Sequence, residues 1–404
     1  MLLSQRFAKT VAFENRIRSV LPTYLLDSSN RRNELIVVAI YFVSVLIALS
    51  VSRIAMSSDP IILENVTPAS SDISLPFEVT LPTSNISLSP DSPILCQSEQ
   101  SAIFEISTRH LCDRFRSISF EQPNVEVNKW SGNRWVRSDA EEALPTNGTG
   151  ILTIIYVHGN FMERNNALER VRILDRYLRE QTDRPFRLLM LSWPSQRESK
   201  PLRDVLVNAE SAECEALYFA WMLQRLRNEP QVSLLGFSFG ARAVTGGLHL
   251  DAGGAIPGFV GPPMPNKDPT MKYRVGLVAP AMDRNWIEKN GKHQLAMTHV
   301  ESMVNLYNSK DPILRRFRFI DRFSRPIAAG FAGFVGIAAL ADPRVTSPLA
   351  GQSRIRQYDC GSVIGTTHSE KSYYGECPYF RKVIEHLLWK ESGESACNAN
   401  VIFP

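Results

Sequence analysis

Between residues 99 and 395 of this 404-residue chain, short apolar runs alternate with amphipathic stretches. Ile151 to Val157 reads ILTIIYV, a continuous apolar run of strand length, as expected where both faces of a parallel sheet are covered. Ala102–Thr108, Val125–Trp130, Arg187–Trp193, Val232–Phe237, Arg274–Ala279 and Met303–Asn308 read as further strands. Glu163 to Gln181 places Ala167, Val171, Leu174 and Leu178 on one helical face. Val205–Leu226 and Tyr379–Trp389 predict two more amphipathic helices. Strands alternating with helices imply an α/β architecture around a mostly parallel sheet.

Two segments depart from that rhythm. Gly246 to Pro265 holds six glycines and four prolines and predicts a loop, either a surface connection or a flap beside a site. Ile327 to Ala341, IAAGFAGFVGIAALA, is apolar but too short for a bilayer. It predicts a helix that is buried or rests on a membrane surface.

The N-terminal region follows a different pattern. Leu35 to Val51 is seventeen residues without a charge, the short end of a membrane span. Arg6, Lys9, Arg16, Arg18, Arg31 and Arg32 precede it, and after Arg53 no Lys or Arg occurs until Arg109. That asymmetry places the N-terminus in the cytoplasm and the rest outside. A cleaved signal peptide ending near Ser50–Ala55 is the competing reading, although the charged leader is long for one. Residues 55–98, rich in Ser, Pro and Thr, read as a disordered stalk. The expected plan is a cytoplasmic tail over 1–34, an anchor over 35–54, the stalk, a domain over 99–395 and a tail over 396–404. The domain would be extracytoplasmic, periplasmic in a bacterium. Asn65, Asn85 and Asn147 open glycosylation sequons, relevant only in a glycosylating host.

A net charge of +4 without a basic–aromatic patch argues against nucleic acid as partner. Of six cysteines, Cys96 with Cys112 and Cys360 with Cys377 are plausible local pairs. Cys214 lies on an apolar helical face, and Cys397 is near the C-terminus. No Cys/His spacing suggests a metal site.

The chemistry is concentrated where the strand Val232–Phe237 ends. Gly236-Phe237-Ser238-Phe239-Gly240 is a G-x-S-x-G turn between strand and helix, which lifts the serine hydroxyl out of the sheet. A serine nucleophile needs a histidine base and a carboxylate to orient it. Asp311 follows the strand before it and stands at a C-terminal strand end, where sites in open α/β sheets lie. Asp283 competes for that role. His368, in the loop GTTHSE, is the expected base; His386, inside the helical pattern VIEHLLW, is the alternative. The N–H of Phe239 and that of Asn160, in the loop after Ile151–Val157, are the expected oxyanion donors. His158 reads as structural.

Together YVHGN (156–160), LSWPS (191–195), GFSFG (236–240), SKDP (309–312) and TTHSEKSYY (366–374) resemble the α/β-hydrolase superfamily. Within it they look most like an uncharacterised bacterial esterase/lipase-like group. The resemblance covers about residues 100–390 and implies an eight-stranded, mostly parallel sheet flanked by helices, without a cofactor. Many relatives carry His and Met or Gln where this elbow has Phe237 and Phe239, which implies a more aromatic pocket. The expected function is a membrane-anchored serine hydrolase acting on a small-molecule or lipid-like ester. An acyltransferase or thioesterase on the same triad, and a non-catalytic envelope binding module, are the alternatives. The substrate and the oligomeric state are not encoded in any motif recognised here.

Overall fold

The run ILTIIYV becomes a fully buried central strand, and the sheet grows outward from it. The structure, a computed structural model, describes residues 101–111, 118–119, 121–196, 201–259, 272–320, 324–336 and 354–390. The apolar run at 35–51, the stalk, Cys96, Cys112 and Cys397 lie outside the described residues. Among the described residues, no helix is long and apolar enough to cross a membrane.

Among the described residues, nine strands form one sheet: β1 (Ala102–Ser107), β2 (Glu126–Trp130), β3 (Trp135–Ser138), β4 (Leu152–Val157), β5 (Phe186–Ser192), β6 (Val232–Phe237), β7 (Tyr273–Val278), β8 (Val300–Tyr307) and β9 (Ile355–Asp359). Their order is β3-β2-β1-β5-β4-β6-β7-β8-β9. The β1–β2 and β2–β3 pairs are antiparallel, and every other neighbouring pair is parallel. The helices are α1 (Ala140–Ala143), α2 (Arg164–Arg179), α3 (Pro201–Arg225), α4 (Gly240–Asp251), α5 (Ala329–Ala332), α6 (Gly361–Ile364), α7 (Glu370–Glu376) and α8 (Pro378–Leu387). A 3₁₀ turn covers Leu314–Phe319.

Three expectations are corrected. The sheet has nine strands rather than eight, because short β3 and β9 extend its two edges. Their alternating, partly exposed residues give little apolar signal.

Next, Gly246 and Gly247 belong to α4, not to a loop. A Cβ on Gly246 would lie 2.7 Å from Ala216 Cβ, and one on Gly247 2.6 Å from Phe219 Cδ1. The glycines are there so that α4 can approach α3 closely, which outweighs their poor helix propensity of about 1 kcal/mol each. Of the remaining loop, residues 260–265 lie outside the described set.

Finally, the described part of the run Ile327–Ala341, residues 327–336, is not one helix. It begins extended, bridges Asp283 through Ala328, and forms only the four-residue α5 before Gly333 turns the chain at φ +71°. Its small residues serve a close backbone crossing. A Cβ on Gly330 would sit 2.3 Å from the Ala279 carbonyl carbon.

Candidate active site

Ser238 is held by backbone geometry that few side chains tolerate. Its φ is +50°, in the left-handed region. The two flanking glycines make that turn possible by contact. A Cβ on Gly240 would lie 2.2 Å from Val157 O, and one on Gly236 would lie 2.9 Å from Ala241 Cα. Ser238 N donates to Val278 O at 3.0 Å and Ala281 N donates to Ser238 O at 3.0 Å, so the elbow is fixed to the end of β7.

The structure brings the three predicted residues together. Ser238 Oγ lies 3.0 Å from His368 Nε2, within reach for proton transfer. His368 Nδ1 lies 2.5 Å from Asp311 Oδ2. Asp311 is fully buried, and its Oδ1 accepts from Ile313 N at 2.8 Å and Leu314 N at 3.0 Å. The carboxylate is thereby oriented by its own loop, with one oxygen left for the imidazole. Ser238 is 4% exposed and the His368 side chain 20% exposed.

The competing residues stand elsewhere. Asp283 accepts from Asn285 N in its own turn. His386 is buried in α8, where Nε2 donates to Ser302 O at 3.1 Å and Nδ1 faces Arg356 Nη2 at 3.3 Å. Burial, with Arg356 and Arg274 nearby, pushes the His386 pKa down to about 3.

The loop after β4 packs directly on the elbow. A Cβ on Gly159 would lie 2.7 Å from Phe237 Cδ1 and 3.1 Å from Ser238 Cβ. Asn160 Oδ1 accepts from Phe161 N at 2.9 Å and from Asn208 Nδ2 at 2.7 Å, which fixes the peptide expected to stabilise an oxyanion. Phe239 is the N-cap of α4. The first N–H groups of a helix have no intrahelical partner, and its dipole favours negative charge there. His158 is buried and stacked on Trp193 with ring centroids 5.5 Å apart. Its Nε2 faces Arg109 Nη2 at 3.0 Å and accepts from Trp193 N at 3.2 Å, and Nδ1 donates to Gly159 O at 2.9 Å. Burial and Arg109 hold its pKa well below the ordinary value, so it serves as a neutral brace.

Several supporting residues were not foreseen. Asn308 Nδ2 donates to the carbonyls of Gly365 at 2.9 Å and Thr367 at 3.0 Å, tying the His368 loop to the Asp311 loop. Asp359 Oδ1 accepts from Ser309 N and Gly361 N. Glu370, buried two residues after His368, accepts from Tyr156 OH at 2.7 Å and Tyr374 OH at 2.5 Å. Its Oε2 lies 3.1 Å from Arg170 Nε, close enough for an ion pair but off the hydrogen-bond axis. Burial pushes the Glu370 pKa up. Only a polar residue beside the histidine hinted at this in the sequence.

The two phenylalanines of the elbow are buried. The Phe237 ring lies 5.6 Å from the His368 ring and 6.5 Å from that of Tyr373. Phe239 lies under the Arg242 guanidinium, 4.7 Å from its carbon, and Trp286 and Phe317 surround the same cation. Arg242 is further held by Glu213 at 3.0 Å and the Ala281 carbonyl at 2.8 Å.

Cys360 and Cys377, expected as a pair, are buried free thiols with Sγ atoms 2.7 Å apart, bracketing the His368 segment. Cys214 is a buried free thiol in α3. Among the described residues, no cluster of His, Cys, Asp or Glu could hold a metal ion.

No family model matches this chain, and no curated protein matches it. Among solved structures it is similar to MGS-M1, an alpha/beta hydrolase enzyme from a Medee basin deep-sea metagenome library. The identity is 16%, the match covers 48% of this chain and 69% of that chain, and the TM-score is 0.22. What the chain offers for a functional reading is its own mostly parallel sheet with the Ser238, His368 and Asp311 side chains meeting at the C-terminal strand ends.

Proposed function

We propose that this chain is a serine hydrolase of the α/β-hydrolase superfamily, acting on a carboxylic ester or similar acyl bond. The observation that carries the reading is the continuous line Ser238 Oγ–His368 Nε2–His368 Nδ1–Asp311 Oδ2, at 3.0 and 2.5 Å. His368 takes the Ser238 proton as Oγ attacks the acyl carbonyl, and Asp311 stabilises the imidazolium formed. The N–H groups of Phe239 and Asn160 receive the charge on the carbonyl oxygen. His368 then protonates the leaving alcohol, an acyl-enzyme remains, and water activated by the same histidine releases the acid. None of these steps requires a cofactor.

The anchoring of the domain outside the cytoplasm by residues 35–54 is part of the same proposal. It rests on the apolar run and the cationic residues before it.

The test is covalent labelling of the full chain with a fluorophosphonate, with the adduct located by mass spectrometry. A single adduct on Ser238 is expected, absent in Ser238→Ala. Asp311→Asn should slow labelling by roughly 10³ to 10⁴, because the histidine loses its orienting carboxylate. A folded wild-type chain that takes no adduct at Ser238 overturns the reading.

A further inference from the structure

Five large apolar side chains are exposed among the described residues: Leu206, Ile313, Phe319, Ile327 and Val363. Their positions are not scattered. Leu206 is in the second turn of α3, the helix that follows β5. Ile313 and Phe319 follow β8, and Val363 is in α6, directly after β9. Ile327 N-terminally flanks the crossing in which Ala329 N and Gly330 N donate to Met282 O and Pro280 O, past the end of β7. These five therefore decorate the edge where the parallel strands end, which is also the edge that carries Ser238.

The stretch after Asp311 is cationic, up to Asp321 in the sequence. Arg315, Arg316 and Arg318 are exposed within 312–320, PILRRFRFI, which has no acidic residue, and Arg325 is exposed beyond it. Arg316 Nη1 donates to Pro312 O at 2.9 Å, and the Arg318 guanidinium lies over Phe319. Asp311, the acid that precedes the segment, is buried and turned toward His368. Two other described acids flank it, both half-buried: Asp283 accepts from Asn285 N, and Asp359 accepts from Ser309 N and Gly361 N.

We propose that this edge docks on an anionic lipid surface. Single apolar side chains standing between arginines match an interface where hydrocarbon lies just under a layer of negative headgroups. Ile313, Phe319 and Ile327 enter the acyl boundary while the guanidinium groups stay at phosphate level. The exposed side chains are 41%, 44% and 46% accessible and stand out from the surface. The partner is thus identified by its chemistry as phospholipid of net negative charge. The edge also faces Ser238 toward the layer, so that an ester with a lipid tail would reach it without crossing water. That last consequence rests on the hydrolase reading, whereas docking does not.

The experiment uses the full chain reconstituted with phosphatidylcholine vesicles, with and without phosphatidylglycerol. An environment-sensitive fluorophore is placed at Phe319→Cys, at Ile327→Cys as a second position, and at Asp183→Cys, exposed on the turn before β5, as the control. Labelled wild type gives the background from native cysteines. The expected result is a blue shift and quenching by lipid-borne nitroxide at 319 and 327, but not at 183, in vesicles with phosphatidylglycerol. The ratio of docked to undocked protein should fall about fivefold for each arginine changed to a neutral residue, with Arg315→Gln, Arg316→Gln and Arg318→Gln made singly and together.

An aqueous signal at both positions on anionic vesicles overturns the proposal. So does a shift of equal size in phosphatidylcholine that ignores the arginine changes, or one that persists without vesicles and grows with protein concentration, which would point to a protein partner. Fluorophosphonate labelling of the same samples reports Ser238 separately, so a failed docking and a failed hydrolase reading are told apart.

Discussion

His386 shows how an identical side chain is assigned to structure rather than chemistry by its surroundings. It is buried, donates to Ser302 O, and faces two arginines, so the neutral form is favoured and the pKa drops to about 3 from 6.5. Between those values the unfolded chain binds a proton that the folded chain refuses. The stabilising contribution is therefore complete above pH 6.5 and is lost as pH falls toward about 3. Denaturant titrations over this window should show His386 contributing a slope of about 1.4 kcal/mol per pH unit. His386→Gln, which keeps a donor for Ser302 O, should flatten the acid limb by that amount; an unchanged slope would show that another group controls it. Ser238, Asp311 and His368 were legible in the sequence because chain order and position at strand ends are one-dimensional signals. Asn308, Glu370 and Arg109 were not. Each acts on a partner tens to hundreds of residues away, and no local pattern marks a buried acceptor for two tyrosines.

The elements divide in a similar way. β4, β5 and β6 are buried throughout, so their apolar runs fixed both existence and limits to within a residue or so. β3 and β9 escaped notice because edge strands with mixed exposure lack that signal. The glycines of α4 misled in a specific way: in isolation they break helices, yet here the contact with α3 requires them. The competing magnitudes give a clear sign for Gly247→Ala. Helix propensity alone would favour alanine by about 1 kcal/mol. A methyl 2.6 Å from buried Phe219 costs about 1–3 kcal/mol in overpacking. We expect a net loss of stability of up to about 2 kcal/mol, read from urea midpoints at constant m. A stabilised variant would mean that α3 moves away without cost. The segment after Pro326 was misread for the reverse reason, since its small residues allow backbone to cross the strand ends rather than build a helix.

At the scale of the molecule, the site is assembled from segments that owe their positions to different strands. Ser238 follows β6, Asp311 follows β8, and His368 follows β9. The Gly159 loop follows β4 and fits against the elbow with no room for a methyl group. Glu370 ties the histidine segment back to β4 through Tyr156. A Ser238–His368–Asp311 line arranged in this way has no local existence: a partly opened sheet would separate Ser238 from His368 before any single element melted. On the proposed function, the reactivity of one hydroxyl therefore becomes a gauge of global order. Across a urea titration, loss of fluorophosphonate uptake at Ser238 should coincide with the fluorescence change of buried Trp193 and Trp221, which lie on β5's end and on α3. If uptake fails at lower urea than the tryptophans report, the histidine segment opens as an independent unit. The same chemical label would then measure how tightly the far edge of the sheet is bound to its centre.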